Sequence, residues 1–110
     1  MKHLLLSLTV LLSGAAAQAQ DLFCKISVNN EVMVDTKVST VVGKNAAIGT
    51  YDNYQISVRN QSAGKFYIEV YETNVSRSYA DGVLRTEEDE MKWTLWSREI
   101  LMEASCRLAI

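Results

Sequence analysis

The residue types that most often carry out catalysis are scarce in this 110-residue chain. Its one histidine, His3, lies in an N-terminal segment that we expect to be removed. Histidine is the side chain that most often transfers protons near neutral pH. The remaining chain therefore has neither a Ser-His-Asp triad nor a histidine-containing zinc site. A small hydrolase could still use paired carboxylates such as Glu69 and Glu72, or a lysine or tyrosine of shifted pKa, but no motif supports one. We predict a non-enzymatic protein without a cofactor.

Residues 1–19 have the organisation of a secretion signal. A short basic start precedes an apolar stretch at residues 4–12, and small residues then end in Ala17-Gln18-Ala19. The apolar stretch is shorter than the roughly 20 residues that span a bilayer. The sequence thus predicts a signal peptide at 1–19, a single domain at 20–110, no membrane span, and export to a bacterial periplasm or out of the cell.

The charge of the predicted domain argues against one class of partner. Without Lys2, 10 basic side chains accompany 13 acidic ones, which gives a net charge of −3. Nucleic-acid-binding domains usually carry clustered Lys and Arg on one face. We therefore expect no nucleic acid partner.

The two cysteines, Cys24 and Cys106, lie near the two ends of the predicted domain. An even number of cysteines in an exported protein is typical of disulfide bonding. A lipid anchor on Cys24 is the competing hypothesis, but bulky Phe23 stands where a lipobox has a small residue. We predict a Cys24–Cys106 disulfide. Closing a loop of about 80 residues contributes roughly 4–5 kcal/mol in the chain-entropy model, a large share for a domain this small.

The acidic run Glu87-Glu88-Asp89-Glu90, with Asp81 nearby, offers the oxygen ligands that calcium prefers. The run lacks the alternating spacing and the glycine of a recognised calcium loop. We interpret it as a solvated turn and predict no metal site.

Four residues are candidates for a binding interface. Tyr67 and Tyr71 occupy outward positions of a predicted strand, where aromatic side chains form a partner-binding patch or pack across a partly covered sheet face. Trp96 interrupts the alternation beside Arg98. These two residue types are enriched in binding hot spots, and they can also form a cation–π pair within a turn.

Asn60 and Asn74 each begin a match to the N-glycosylation pattern, in polar stretches of the chain. Such short patterns have low specificity, and a periplasmic protein would not use them. The sequence leaves their use open.

Period-two alternation of apolar and polar residues dominates the predicted domain and indicates β-strands. The stripes run through residues 22–28, 32–42, 54–58, 66–70, 91–95 and 100–110, with a shorter apolar piece at 46–48. Thr86 and Asp89 resemble the start of a helix. The apolar positions that follow would wrap around such a helix, so a strand is predicted there.

The same alternation sets the expected hairpin registers, because each pairing must keep both apolar stripes on one face. Turns are expected at residues 29–31, 60–64, 79–82 and 96–99. A bulge within one continuous strand is the alternative to the last of them. The expected pairs are Val28 with Val32, Ile26 with Val34, Cys24 with Thr36, Val58 with Phe66, Ile56 with Ile68, Leu95 with Ile100 and Trp93 with Met102.

About seven short strands predict an all-β fold, either a small antiparallel β-sandwich, Ig-like in general architecture, or a small barrel. The size, export and end-to-end cysteine pair resemble small periplasmic lysozyme inhibitors in outline, but their local motif is absent and no residue role is carried over. We predict an exported domain that binds a protein or a cell-envelope component, with inhibition of another protein as one form of that role. A structural or assembly subunit that pairs through edge strands and a carboxylate-dependent hydrolase are the alternatives.

Overall fold

The computed structural model describes residues 19–62 and 64–109, and within them it contains eight β-strands and no helix. The strands are β1 (Ala19–Val28), β2 (Glu31–Val41), β3 (Asn45–Tyr51), β4 (Tyr54–Ser62), β5 (Lys65–Glu72), β6 (Ser76–Val83), β7 (Glu90–Trp96) and β8 (Leu101–Leu108). They form two four-stranded antiparallel sheets, with the strand orders β2-β1-β8-β7 and β3-β4-β5-β6. The predicted all-β sandwich is confirmed, with eight strands instead of about seven.

The signal peptide predicted at residues 1–19 lies almost wholly outside the described residues. Only Ala19 of the predicted signal peptide is described, and it is the first residue of β1. Among the described residues, no helix is long and apolar enough to cross a membrane.

The core lies between the two sheets and is built from their apolar stripes. Because alternate residues of a strand point to opposite faces, each strand contributes every second side chain. The most deeply buried of these are Leu22, Ile26, Met91 and Met102 from the first sheet and Ile56, Val58, Ile68 and Val70 from the second. Each such side chain contributes roughly 1.5–3 kcal/mol on burial.

The predicted disulfide between Cys24 and Cys106 is confirmed. The two residues lie directly opposite each other on β1 and β8, with their Cα atoms 4.2 Å apart. Both side chains are about 1% exposed. The bond therefore joins the first and last strands in the middle of one sheet, on the face that contacts the core.

The β1–β2 hairpin has a two-residue turn in place of the predicted three-residue loop. Asn29 and Asn30 both have positive φ angles, 52° and 67°, as a type I′ turn requires. Val28 therefore pairs with Glu31, and a β-bulge next to Ser27 absorbs the extra residue. Beyond the bulge, the predicted pairs of Ile26 and Cys24 with β2 are confirmed.

The β4–β5 hairpin is shifted by two residues from the predicted register. Val58 pairs with Ile68, and Phe66 pairs with Asn60, which the sequence analysis assigns to the turn. Asn60 lies inside β4 because its side chain, 3% exposed, donates from Nδ2 to Thr40 Oγ1 at 3.2 Å. The Nδ2 atom therefore has a partner, whereas the buried Oδ1 atom has none among the described residues. The strand extends through the polar residues Asn60, Gln61 and Ser62.

The contact of Asn60 also bears on the two glycosylation patterns. Thr40 Oγ1 donates in turn to the Gln20 carbonyl at 2.7 Å, so a short polar chain links β4 to the first sheet. The Asn60 amide nitrogen is therefore enclosed in the folded protein. Asn74, in contrast, is exposed in the β5–β6 turn.

The strand predicted at residues 91–95 is confirmed as part of β7, but the register of its hairpin is also shifted by two. Leu95 pairs with Met102 and Trp93 with Ala104, in place of the predicted Ile100 and Met102. The connection is a four-residue loop, as predicted, but it begins one residue later. The Ser97 N–H donates to the Ile100 carbonyl at 2.9 Å and closes it.

The turn predicted at residues 79–82 is wrong, because these residues lie within β6. The side of β6 that faces the core carries only small residues, Ser78, Ala80 and Gly82, so it lacks the apolar stripe that marks the other strands. Gly82 is required there by a close approach of β7. A Cβ atom at this position would lie 2.9 Å from Met91 Cβ.

The edges of the two sheets meet at two seams. At the β6–β7 seam, Trp93 Nε1 donates to Ser78 Oγ at 3.0 Å. At the β2–β3 seam, a Cβ atom on Gly49 would lie 3.1 Å from Val34 Cγ2. Each edge strand therefore has a neighbour from the opposite sheet.

The acidic residues Glu87, Glu88 and Asp89 lie in the connection between β6 and β7, and Glu90 begins β7. Asp89 Oδ2 accepts hydrogen bonds from the Arg85 N–H at 2.8 Å and the Thr86 N–H at 3.0 Å. The Glu88 N–H donates to Thr86 Oγ1 at 3.3 Å. The hydrogen bonds from the Arg85 and Thr86 N–H groups to the Asp89 carboxylate, the one from Arg85 foremost, hold the pKa of this carboxyl below its usual 3.8.

We expect Asp89→Ala to destabilise the protein more at neutral pH than in acid. A carboxyl whose pKa is lowered by folding adds stability above its unfolded pKa, and that stability is lost as the pH falls through the folded value. Urea unfolding at neutral pH and below about pH 3 checks this sign. Glu88→Ala is the matched control in the same turn. An equal effect of Asp89→Ala at both pH values would contradict the prediction.

Candidate binding face on the second sheet

The outward side of the second sheet gathers polar and aromatic side chains in three rows. The strand register defines these rows, from β3 to β6, as Asn45-Arg59-Tyr67-Asp81, Ala47-Ser57-Glu69-Tyr79 and Thr50-Gln55-Tyr71-Arg77. All of them lie on the face opposite to the core, because side chains of a strand alternate between its two sides. We call this surface the tyrosine face.

The three tyrosines of the face make contacts with their neighbours and remain accessible. The Tyr67 ring packs edge-to-face on Tyr79, with centroids 5.4 Å apart and an interplanar angle of 78°. The Arg77 guanidinium lies 5.1 Å from the centroid of the Tyr71 ring. Tyr79 is still 52% exposed. The cross-strand packing of these rings is therefore present, and the partner-binding role of the exposed tyrosines remains a prediction.

A groove of about 410 Å³ runs along one side of the tyrosine face. One side of the groove is lined by Ala47, Gly49 and Thr50 of the edge strand β3, and the other side by Tyr71 and Arg77. Gln55, Ser57 and Glu69 lie between them. The volume is within the range of roughly 300–1,000 Å³ that is typical of small-ligand sites.

The polar groups of the groove are available to a ligand. Among the described residues, the side chains of Gln55, Glu69 and Arg77 form neither a hydrogen bond nor an ion pair with another side chain, and the Arg77 guanidinium lies over the Tyr71 ring. Ser57 Oγ accepts a long hydrogen bond of 3.4 Å from Asn45 at the edge of the groove. One carboxylate and one guanidinium cancel, so the groove has no net charge.

The structure divides the four predicted interface residues between two surfaces. Tyr67 and Tyr71 lie together on the tyrosine face. Trp96 lies at the end of β7 on the outer side of the first sheet, where it is 83% exposed, and Arg98 is exposed in the loop that follows. Among the described residues, the cation–π pairs are Arg77 with Tyr71 and Arg107 with Phe23, so Trp96 and Arg98 do not form such a pair. The predicted interface role of all four residues remains a prediction.

The sequence analysis did not find Tyr79 and Arg77. Tyr79 was hidden by the assignment of residues 79–82 to a turn, and Arg77 by its place in the polar stretch that precedes this turn. A usable signal exists: Arg77, Tyr79 and Asp81 alternate with the small residues Ser78, Ala80 and Gly82. Such a pattern is typical of a strand whose inner side packs against a close neighbour.

The carboxylates that the sequence singled out do not form a joint site. Glu69 and Glu72 are three positions apart on β5 and therefore point to different sides of it. Glu72 accepts from Asn53 Nδ2 at 3.4 Å near the end of the sheet. Within residues 19–62 and 64–109, no three His, Cys, Asp or Glu side chains are grouped closely enough to hold a metal ion.

The fold and the tyrosine face together define a disulfide-linked antiparallel β-sandwich with an exposed, grooved, aromatic sheet. Neither protein-family models nor curated proteins nor solved structures provide a match to the chain. The function is therefore inferred from the chemistry of the face.

Proposed function

We propose that this protein is an exported, non-enzymatic binding domain that recognises a macromolecule or a cell-envelope component through the tyrosine face. The observation that carries the proposal is the position of Tyr67, Tyr71 and Tyr79 on one sheet face, where Tyr71 lines an open groove. Tyrosine offers a large rigid contact area with a polar end and is enriched at the centres of interfaces.

Two further features support the proposal. The predicted domain contains no histidine, and its most plausible carboxylate pair is split between the two sides of β5. The disulfide fits an oxidising compartment, where such bonds form and persist. Export to the periplasm or out of the cell therefore belongs to the proposal.

The proposal is tested by capturing envelope components on immobilised protein. We expect the double variant Tyr71→Ala/Tyr79→Ala to retain at least about tenfold less of the captured partner than wild type, because truncation of central aromatic residues has the largest effects at interfaces. Mass spectrometry of the eluates and a dissociation curve for the recovered partner measure this.

Trp96→Ala is the matched control, since it removes a more exposed aromatic residue from the other sheet. Circular dichroism verifies that each variant is folded. Equal recovery by wild type and the double variant would contradict the proposal. So would a loss of binding in Trp96→Ala alone, which would place the interface on the first sheet.

A further inference from the structure

We infer that the groove of the tyrosine face binds an uncharged saccharide. This inference rests on the proposed function and names the ligand class of the same face. The first argument is charge. The groove carries one carboxylate, Glu69, and one guanidinium, Arg77, and so offers no net attraction to a polyanion or a polycation.

The second argument is the set of hydrogen-bonding groups. Within the described residues, Gln55 and Glu69 form no side-chain hydrogen bond or ion pair, and Arg77 lies over the Tyr71 ring. The three residues present amide, carboxylate and guanidinium groups within one groove. Neighbouring hydroxyl groups of a sugar each donate and accept, so they match a mixed set of donors and acceptors. Hydrogen bonds that involve a charged partner are the stronger ones.

The third argument is the aromatic wall. A pyranose ring has polar edges and apolar C–H faces, and therefore requires a site with both kinds of surface. Tyr71 is the tyrosine that lines the groove, with the Arg77 guanidinium 5.1 Å from its ring centroid and its hydroxyl accepting from the Asn74 N–H at 3.3 Å. Tyr79 lies outside the lining, in the adjoining row beside Glu69. Tyrosine rings supply a flat apolar contact together with a hydroxyl group that can bind the edge of the sugar.

The test is a titration of protein with ¹³C-labelled tyrosine rings, followed by NMR. The probes are neutral disaccharides of hexoses and N-acetylhexosamines, with a sulfated disaccharide as the anionic comparison. We expect saturable shifts of the Tyr71 and Tyr79 signals with a neutral probe and at least about tenfold weaker binding of that probe by Glu69→Gln and by Gln55→Ala. Glu103→Gln, the same change on the outer side of the first sheet, should bind as wild type does.

Absence of saturable shifts with every neutral probe would overturn the inference, as would unchanged affinity in both groove variants. A preference for the sulfated disaccharide would also overturn it. The capture experiment separates this failure from that of the proposed function. If the double tyrosine variant loses its partner while neutral saccharides neither bind nor compete, the binding role stands and the ligand is not a neutral saccharide. If capture is unaffected by the tyrosine changes, the proposed binding role of the tyrosine face and the saccharide inference both fail.

Discussion

Reduction of the Cys24–Cys106 disulfide is expected to lower the free energy of unfolding by roughly 4 kcal/mol. The bond closes a loop with a sequence separation of 82 residues, for which the chain-entropy model gives about 4.5 kcal/mol. A small domain has a total stability of about 5–15 kcal/mol. We therefore expect the reduced protein to be only marginally folded, because the open chain gains much of the conformational freedom that the bond removes.

Urea unfolding of oxidised and reduced wild type measures the effect directly. The reduced protein keeps both sulfur atoms, which are about 1% exposed, so core packing changes little. The variant Cys24→Ala/Cys106→Ala adds the loss of these buried atoms and should be at least as unstable. A decrease of less than about 1 kcal/mol on reduction would show that the unfolded chain gains little freedom from opening the bond.

The strands other than β6, and their inward stripes, could be predicted because alternation is a direct consequence of strand geometry. The same geometry explains why the registers of the β4–β5 and β7–β8 hairpins could not be predicted. A shift of two residues leaves every side chain on the same face. Leu95 therefore buries the same side whether it pairs with Ile100 or with Met102.

Local polar contacts decide between such registers, and the sequence does not display them. The position of Asn60 within β4 depends on Thr40, which is twenty residues away. The turn at Asn29-Asn30 requires a bulge at a position that no residue type marks. A register can thus be predicted only when a turn or a buried polar pair can be recognised beforehand.

The candidate site was predictable in part for a related reason. Tyr67 and Tyr71 belong to a strand with a clear apolar stripe, so their outward position follows from alternation. Tyr79 belongs to β6, whose inner side is formed by small residues instead of apolar ones. That inner side is small because β7 lies close to it, which is a property of the tertiary structure and not of the local sequence.

The approach of β7 to β6 leads to the second large expected effect, that of Gly82→Val. A Cβ atom on residue 82 would lie 2.9 Å from Cβ and 3.0 Å from Cγ of Met91, atoms close to the β7 backbone that cannot move away freely. Met91 is 2% exposed and lies between the two sheets. We expect a loss of about 3 kcal/mol, the upper end of the usual overpacking cost, and a smaller loss for Gly82→Ala.

Two comparisons identify the cause of this loss. Gly49→Ala is the matched control at the other seam. Its new Cβ would meet the ends of the Val34 and Ile26 side chains at 3.1 and 3.3 Å, and these ends can shift. In the Met91→Ala background, Gly82→Ala should cost less than in wild type, because the obstructing atoms beyond Cβ are gone. An equal cost of Gly82→Ala in both backgrounds, measured by urea unfolding, would show that the Met91 atoms beyond Cβ do not contribute to the loss.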